Sequence, residues 1–224
     1  MFDNHWWGSC SWRRGPAFVN VNISPWWSWQ PFAWASAGAF FSASLAPQPV
    51  IYDPGTTVIY EGDTYYVNGQ QAGTAKAARQ QVRQLATPGI AEVPVPEPPA
   101  EGQPAVWLPL GVWALTQQEQ GDAVMFMQIS VDKDGLVAGA YKNVMTGDEQ
   151  PLIGKLDPKS QRVAWHIGEA TNAVYETGLS SLENDVASVF VHFGEDATQT
   201  WLLVRLPSPE IPPGTVKIPE VKEL

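Results

Sequence analysis

Between residues 106 and 206 the chain offers eight strand-like runs and no room for a crossover helix. The runs are "WLPLGVWALT", "AVMFMQISV", "LVAGAYKNV", "QPLIGKL", "RVAWHIG", "NAVYETG", "VASVFVHF" and "TQTWLLVRL". They are rich in β-branched and aromatic residues, and turn-forming stretches such as "DKDG", "MTGDE", "DPKS" and "GEDA" separate them. Parallel βαβ units need an amphipathic helix between strands, so the pattern excludes them and leaves antiparallel neighbours. Alternation assigns faces: Val163, Trp165 and Ile167 oppose Arg162, Ala164 and His166, and Ala187, Val189, Val191 and Phe193 oppose Ser188, Phe190 and His192. Eight such strands predict an up-and-down barrel, closed so that no edge is left, with a two-sheet sandwich as the alternative. Trp107, Trp113, Trp165 and Trp201 are expected in its core.

What precedes the barrel reads differently. Residues 1–31 are rich in Trp, Asn, Ser and Pro without a sustained period and are expected to be irregular. Residues 32–86 predict a small α+β head of helix, hairpin and helix. In "FAWASAGAFFSASLA", Ala35, Ala39 and Ala43 fall four apart beside Trp34, Gly38 and Ser42, a ridge of small residues that lets another backbone approach. In "TVIYEGDTYYVNG" the turn is placed at Glu61-Gly62-Asp63, with Val58, Tyr60, Tyr65 and Val67 on the two arms. "TAKAARQQVRQLA" is made of good helix formers, with Thr74 as N-cap and Ala78, Val82 and Leu85 as the apolar edge. Residues 87–105 hold six prolines and three glutamates, the composition of an extended linker between head and barrel. The tail, 207–224, is again Pro-rich.

The net charge of -10 argues against binding nucleic acid, which needs a basic face. One cysteine, Cys10, cannot form an internal disulfide. The start, "MFDNHWWGSCSWRRG", lacks the apolar run of a signal peptide, which leaves two expectations, a cytoplasmic chain or one that follows an upstream export signal. From Gly15 to Tyr52 no residue is charged, but prolines interrupt the stretch. Its longest proline-free run, Phe32 to Ala46, is shorter than the ~20 residues of a spanning helix, so no transmembrane span is expected.

Residues able to carry chemistry are few. His166 and His192 would form a metal pair only by recruiting carboxylates such as Glu169 or Glu176; the plainer expectation is solvated or hydrogen-bonded side chains. "VDKDGLV" has the Asp132, Asp134 and Gly135 of a calcium loop, yet the twelfth position is Asn143, so it reads as a hairpin turn. Glu176, Glu183 and Asp185 offer carboxylates with nothing to fix their separation. No Gly-x-Ser-x-Gly elbow occurs, and "GTAKAARQ" has one Gly where a phosphate loop needs several. The sequence therefore predicts a non-enzymatic protein with no cofactor and no metal. Its candidate contact residues are Trp26, Trp27, Trp29 and Trp34 in "PWWSWQPFAW", where exposed indoles would meet a protein or glycan partner.

Two resemblances follow from these motifs. "GVWALT", with Gly-x-Trp on the first barrel strand, resembles the lipocalin and avidin type of barrel, in which a Trp plugs one end. This implies, as the alternative function, a barrel binding a small apolar ligand. The order of a Trp-rich lead ("WWSWQPFAWASAGAF"), a Tyr-rich hairpin ("PVIYDPGTTVIYEGDTYYVNGQQAGTA"), an Ala/Gln-rich helix and a barrel resembles bacterial cell-surface proteins found chiefly in planctomycetes, sometimes labelled mu-protocadherin-like. It covers the chain from about residue 25 and carries no catalytic residues over. The resemblance implies a cell-envelope or cell-surface structural or interaction module, at the surface or in the periplasm, with an export signal upstream of this chain. No cadherin-type calcium motif such as Asp-x-Asn-Asp-Asn is present.

Overall fold

The computed structural model describes residues 29–90, 92–97, 99–117 and 123–206. The first elements are α1 (Trp34–Phe41) and a three-stranded sheet of β1 (Val58–Glu61), β2 (Thr64–Val67) and β3 (Gln70–Thr74), followed by α2 (Ala75–Ala86). Eight strands follow: β4 (Trp107–Thr116), β5 (Met125–Asp132), β6 (Leu136–Asn143), β7 (Glu149–Asp157), β8 (Arg162–Ile167), β9 (Ala170–Gly178), β10 (Val186–Phe193) and β11 (Ala197–Arg205). Each pairs antiparallel with the next, and β11 returns to β4, so the sheet closes. The architecture is the up-and-down barrel that the short turns and missing crossovers predict; the sandwich is excluded.

The barrel interior is packed with large side chains. Trp113, Met127, Ile129, Leu152, Leu156, Trp165 and Leu203 are fully or almost fully buried within one apolar cluster, and Trp165 stacks on Tyr175 at 5.8 Å. The alternation of β8 and β10 holds: Val163, Trp165, Ala187, Val189 and Val191 point inward. Of the other expected core tryptophans, Trp201 is half-buried against this cluster, whereas Trp107 is buried outside it.

One end of the barrel is closed twice. Gly111 has φ 118, and a Cβ there would lie 2.5 Å from Arg205 Nη1, so only glycine lets the last strand's arginine reach inward. The Arg205 guanidinium then lies 4.1 Å from the centre of the Trp113 ring, while its Nη2 donates to the Leu182 and Asn184 carbonyls. The Gly-x-Trp motif thus forms a closed end, compatible with a lipocalin-like fold. Over it lies α1. Phe32, Ala37, Phe41 and Leu45 join the same apolar cluster as the barrel interior, and Glu183, between β9 and β10, accepts from the Trp34 amide. This corrects the small-residue reading of α1. Its large residues face the protein, and Ala35, Gly38 and Ala39 are exposed. The segment packs on the barrel end.

The head forms as its turns dictate. Gly62-Asp63 closes β1 on β2, pairing Glu61 with Thr64, and Asn68-Gly69, both at positive φ, closes β2 on β3. The Thr74 side chain accepts from the Ala77 amide, so β3 passes into α2 without a loop. The buried face of α2 is Ala75, Ala78, Arg79, Val82 and Ala86, with Leu85 half-buried. Between α2 and β4 the described residues form no helix or strand; Pro96 is buried and Val93 and Pro94 are half-buried. "VDKDGLV" is a turn, in which Asp132 Oδ1 accepts from the amides of Asp134 and Leu136. No helix among the described residues is long and apolar enough to cross a membrane.

Candidate functional site

Strand register brings a row of polar residues onto the outer wall of the barrel. Glu176 pairs with Ala164 on one side and Phe190 on the other, so Arg162 and His192 are its diagonal neighbours on the same face. His192 in turn pairs directly with Thr198. The row Arg162, Glu176, His192, Thr198 therefore spans β8 to β11. Facing outward, it ought to be wet. Instead, Glu176 is 0% exposed and His192 1% exposed, because the head covers them.

The cover is built from the hairpin, α2 and the strap before β1. Val58, Tyr60, Tyr65 and Val67 form one face of the hairpin, packed with Tyr52 and Ala78 against Phe190. Val82 and Ala86, with Leu85, lie on Ala164 and Val174. The strap is held by barrel side chains: Gln161 amide donates to the Gln48 carbonyl and accepts from the Val50 amide at 2.6 Å, and Ser180 and Ser181 donate to the Val50 and Tyr52 carbonyls. Gly178 makes the approach possible, since a Cβ there would sit 2.3 Å from the Tyr52 carbonyl oxygen.

Inside the contact the donors converge on one carboxylate. Glu176 Oε1 accepts from Tyr52 Oη at 2.7 Å and from Arg162 Nε at 2.6 Å, and Oε2 is 2.9 Å from His192 Nε2. Tyr52 Oη is also 3.3 Å from Tyr65 Oη. Burial by itself would raise the Glu176 carboxyl, but the Arg162 guanidinium and the hydrogen bonds from His192 and Tyr52 outweigh it and hold the group below its usual range. Burial, with the carboxylate nearby, pushes the Tyr52 hydroxyl well up, so it stays a donor. Tyr60 adds an aromatic wall, edge-on to His192 at 5.3 Å and to Phe190 at 5.1 Å, with the Arg79 guanidinium 5.7 Å from its ring centre. Arg79 Nε donates to the Glu195 carbonyl, and Arg83 Nη2 donates to that of Gly194, which ties α2 to the β10–β11 turn. A buried ion pair contributes only as far as its remaining hydrogen-bonding positions are filled; here the carboxylate oxygens have three partners, while Arg162 Nη2 has no hydrogen-bond partner.

The residues singled out from the sequence are distributed otherwise. Both histidines are buried, not solvated: His192, under the head, is hydrogen-bonded through both ring nitrogens, as the second half of that expectation has it, and His166 is 7% exposed, its basicity lowered by burial. Among the described residues no three His, Cys, Asp or Glu side chains converge as a metal set. The three carboxylates do separate jobs, with Glu176 in the buried row, Glu183 capping α1, and Asp185 exposed and 3.9 Å from Arg205. Of the four candidate tryptophans, Trp26 and Trp27 lie outside the described residues. Trp29 is buried on the outer wall against Val112, Ala114, Phe126 and Leu206, so it serves packing. Trp34 is half-buried against the barrel-end cluster.

Tyr52, Arg162 and Arg79 were missed at the sequence level. The available signal was weak: "RVAWHI", "VYET" and "VFVHF" each place a charged or ionisable residue in the outward register of a strand. Comparison with protein-family models, with curated proteins and with solved structures finds no match.

Proposed function

We propose that this protein is a non-enzymatic structural or interaction module, a solid barrel that carries a clamped head, at the cell surface or in the periplasm. The observation that carries the reading is the packed interior. A ligand barrel needs a cavity of roughly 300 Å³ or more, whereas here Trp113, Trp165, Met127, Leu152 and Leu203 occupy the space between the walls. α1 seals one end, and the strap, hairpin and α2 cover the wall formed by β8 to β10. The envelope setting and a protein or glycan partner rest on the sequence resemblance and on the Trp-rich lead.

A small-ligand barrel is the second reading. It is favoured by the Trp113–Arg205 closed end and by Trp165 Nε1, a fully buried donor with no partner in the protein. Titration of the full chain with a fluorescent fatty acid separates the two. The module reading predicts no saturable binding at micromolar protein. Saturable binding at one site per chain, displaced by unlabelled fatty acid, would establish the ligand barrel instead.

A further inference from the structure

The buried row on the outer wall ends at a hydroxyl. Glu176 is ionised and only accepts, so the hydrogen in its 2.9 Å contact with His192 belongs to Nε2. The other ring nitrogen, Nδ1, lies 2.9 Å from Thr198 Oγ1. Arg79 has donors alone, and its Nη1, 3.4 Å away, uses a lone pair of the same oxygen. In the neutral imidazole the Thr198 hydrogen is therefore directed at Nδ1. Joining the head to the barrel requires Tyr52, Arg162 and Glu176. That joint also uses His192 Nε2 as a donor to Glu176, but it makes no use of the opposite ring nitrogen, Nδ1, aligned on a half-buried hydroxyl at the start of β11.

Carboxylate, imidazole and hydroxyl in a row make an alcohol nucleophilic, because the imidazole takes the proton and the carboxylate orients and stabilises it. We propose that Thr198 is a modification site, an acyl acceptor for an activated ester or thioester. Thr198 Oγ1 bonds to the carbonyl carbon while its proton passes to His192 Nδ1. The carbonyl oxygen becomes an oxyanion beside the Arg79 guanidinium. When the intermediate collapses, the bond to the leaving alkoxide or thiolate breaks, and that group takes the proton from Nδ1. The products are a threonyl ester and a free alcohol or thiol, with no further reactant required. One acylation per chain marks a covalent attachment point, which extends the module reading and stands independently of it.

The experiment uses the full chain and p-nitrophenyl acetate, with peptide mass mapping over time. The expected result is an acetyl group on Thr198, formed at least about a hundredfold faster than on the exposed Thr200, the low end of what a positioned general base supplies. That preference should vanish in folded His192→Gln. Since loss of the buried imidazole can unfold the contact, Thr198→Ser is the second variant; it keeps the hydroxyl and should acetylate at least as fast. Equal rates at Thr198 and Thr200 in the native chain, or undiminished labelling in folded His192→Gln, would overturn the proposal.

Discussion

The two faces of β8, β9 and β10 are both buried, but by opposite chemistry. Inward, Trp165, Tyr175, Val189 and Val191 make an apolar core whose one unpaired polar group in this set is the Trp165 indole nitrogen. Outward, Glu176, His192 and Arg162 make a hydrogen-bonded charged seam covered by the head, in which Arg162 Nη2 and Tyr60 Oη are left without hydrogen-bond partners. The inner face gains stability from area removed from water and from close packing, and its residues are interchangeable within volume limits. The outer face depends on completeness, since one missing partner leaves a buried charge exposed to a low dielectric. A barrel can thus present a polar register on one side of its wall and still be dry on both.

The comparison is broken most easily at Glu176. Glu176→Ala strands Arg162 under the head and is expected to lower unfolding stability by about 3–5 kcal/mol, measured by urea denaturation. A loss below about 0.5 kcal/mol, the size of an ordinary surface substitution, would show that the outer face behaves as a solvent face. Replacing Glu176 and Arg162 together by Leu and Met should recover only part of that loss, because the stranded guanidinium is gone while Tyr52 Oη and His192 Nε2 still lack their acceptor.

On the inner face, Leu152→Ala leaves a cavity and should cost about 2–5 kcal/mol, with no change in the pH dependence of stability. The seam, by contrast, has an acid limb. The Glu176 carboxyl is held below its ordinary value in the folded chain, so its stabilisation is complete above the unfolded value of about 4.3 and is lost as pH falls through the folded one. Melting temperature should therefore fall steeply below about pH 4, and Glu176→Gln should flatten that limb while lowering the neutral plateau. An unchanged acid limb in a folded Glu176→Gln variant would remove the carboxylate from the account.

The smallest effect is expected on the far side of the head. Val58 and Ile59 are neighbours on β1, but Val58 is buried against the barrel and Ile59 is 41% exposed. Ile59→Ser should change stability by no more than about 0.5 kcal/mol. A larger loss would mean that the second face of the hairpin is covered as well.

Much of the inner face was legible in the chain, because period-2 alternation at 163–167 and 187–193 states which side is apolar. The turns and the Thr74 cap were legible for a similar reason, since glycine, Asn-Gly and a threonine before good helix formers act locally. The seam was not. Tyr52 meets Glu176 across 124 residues of sequence, and nothing local to "VYETG" distinguishes a carboxylate that will be wet from one that a head will cover. His192 is hydrogen-bonded as expected, and only its burial was illegible, for the same reason. Its polar register was correct, and only the packing of α2 and the hairpin makes that register dry. Trp29 was read as a contact because its own segment has no core-forming period; the apolar patch it covers lies on β4, β5 and the end of β11.

If head and barrel are joined by a coupled buried network, a double-mutant cycle across the contact will show it. Tyr52→Phe removes a donor from the head, Glu176→Gln alters the acceptor on the barrel, and the two groups are 2.7 Å apart. Stability of the native chain, both single variants and the double variant, measured by urea denaturation at neutral pH, gives the coupling energy. The account predicts about 1–3 kcal/mol between them. Additivity to within about 0.3 kcal/mol would contradict it.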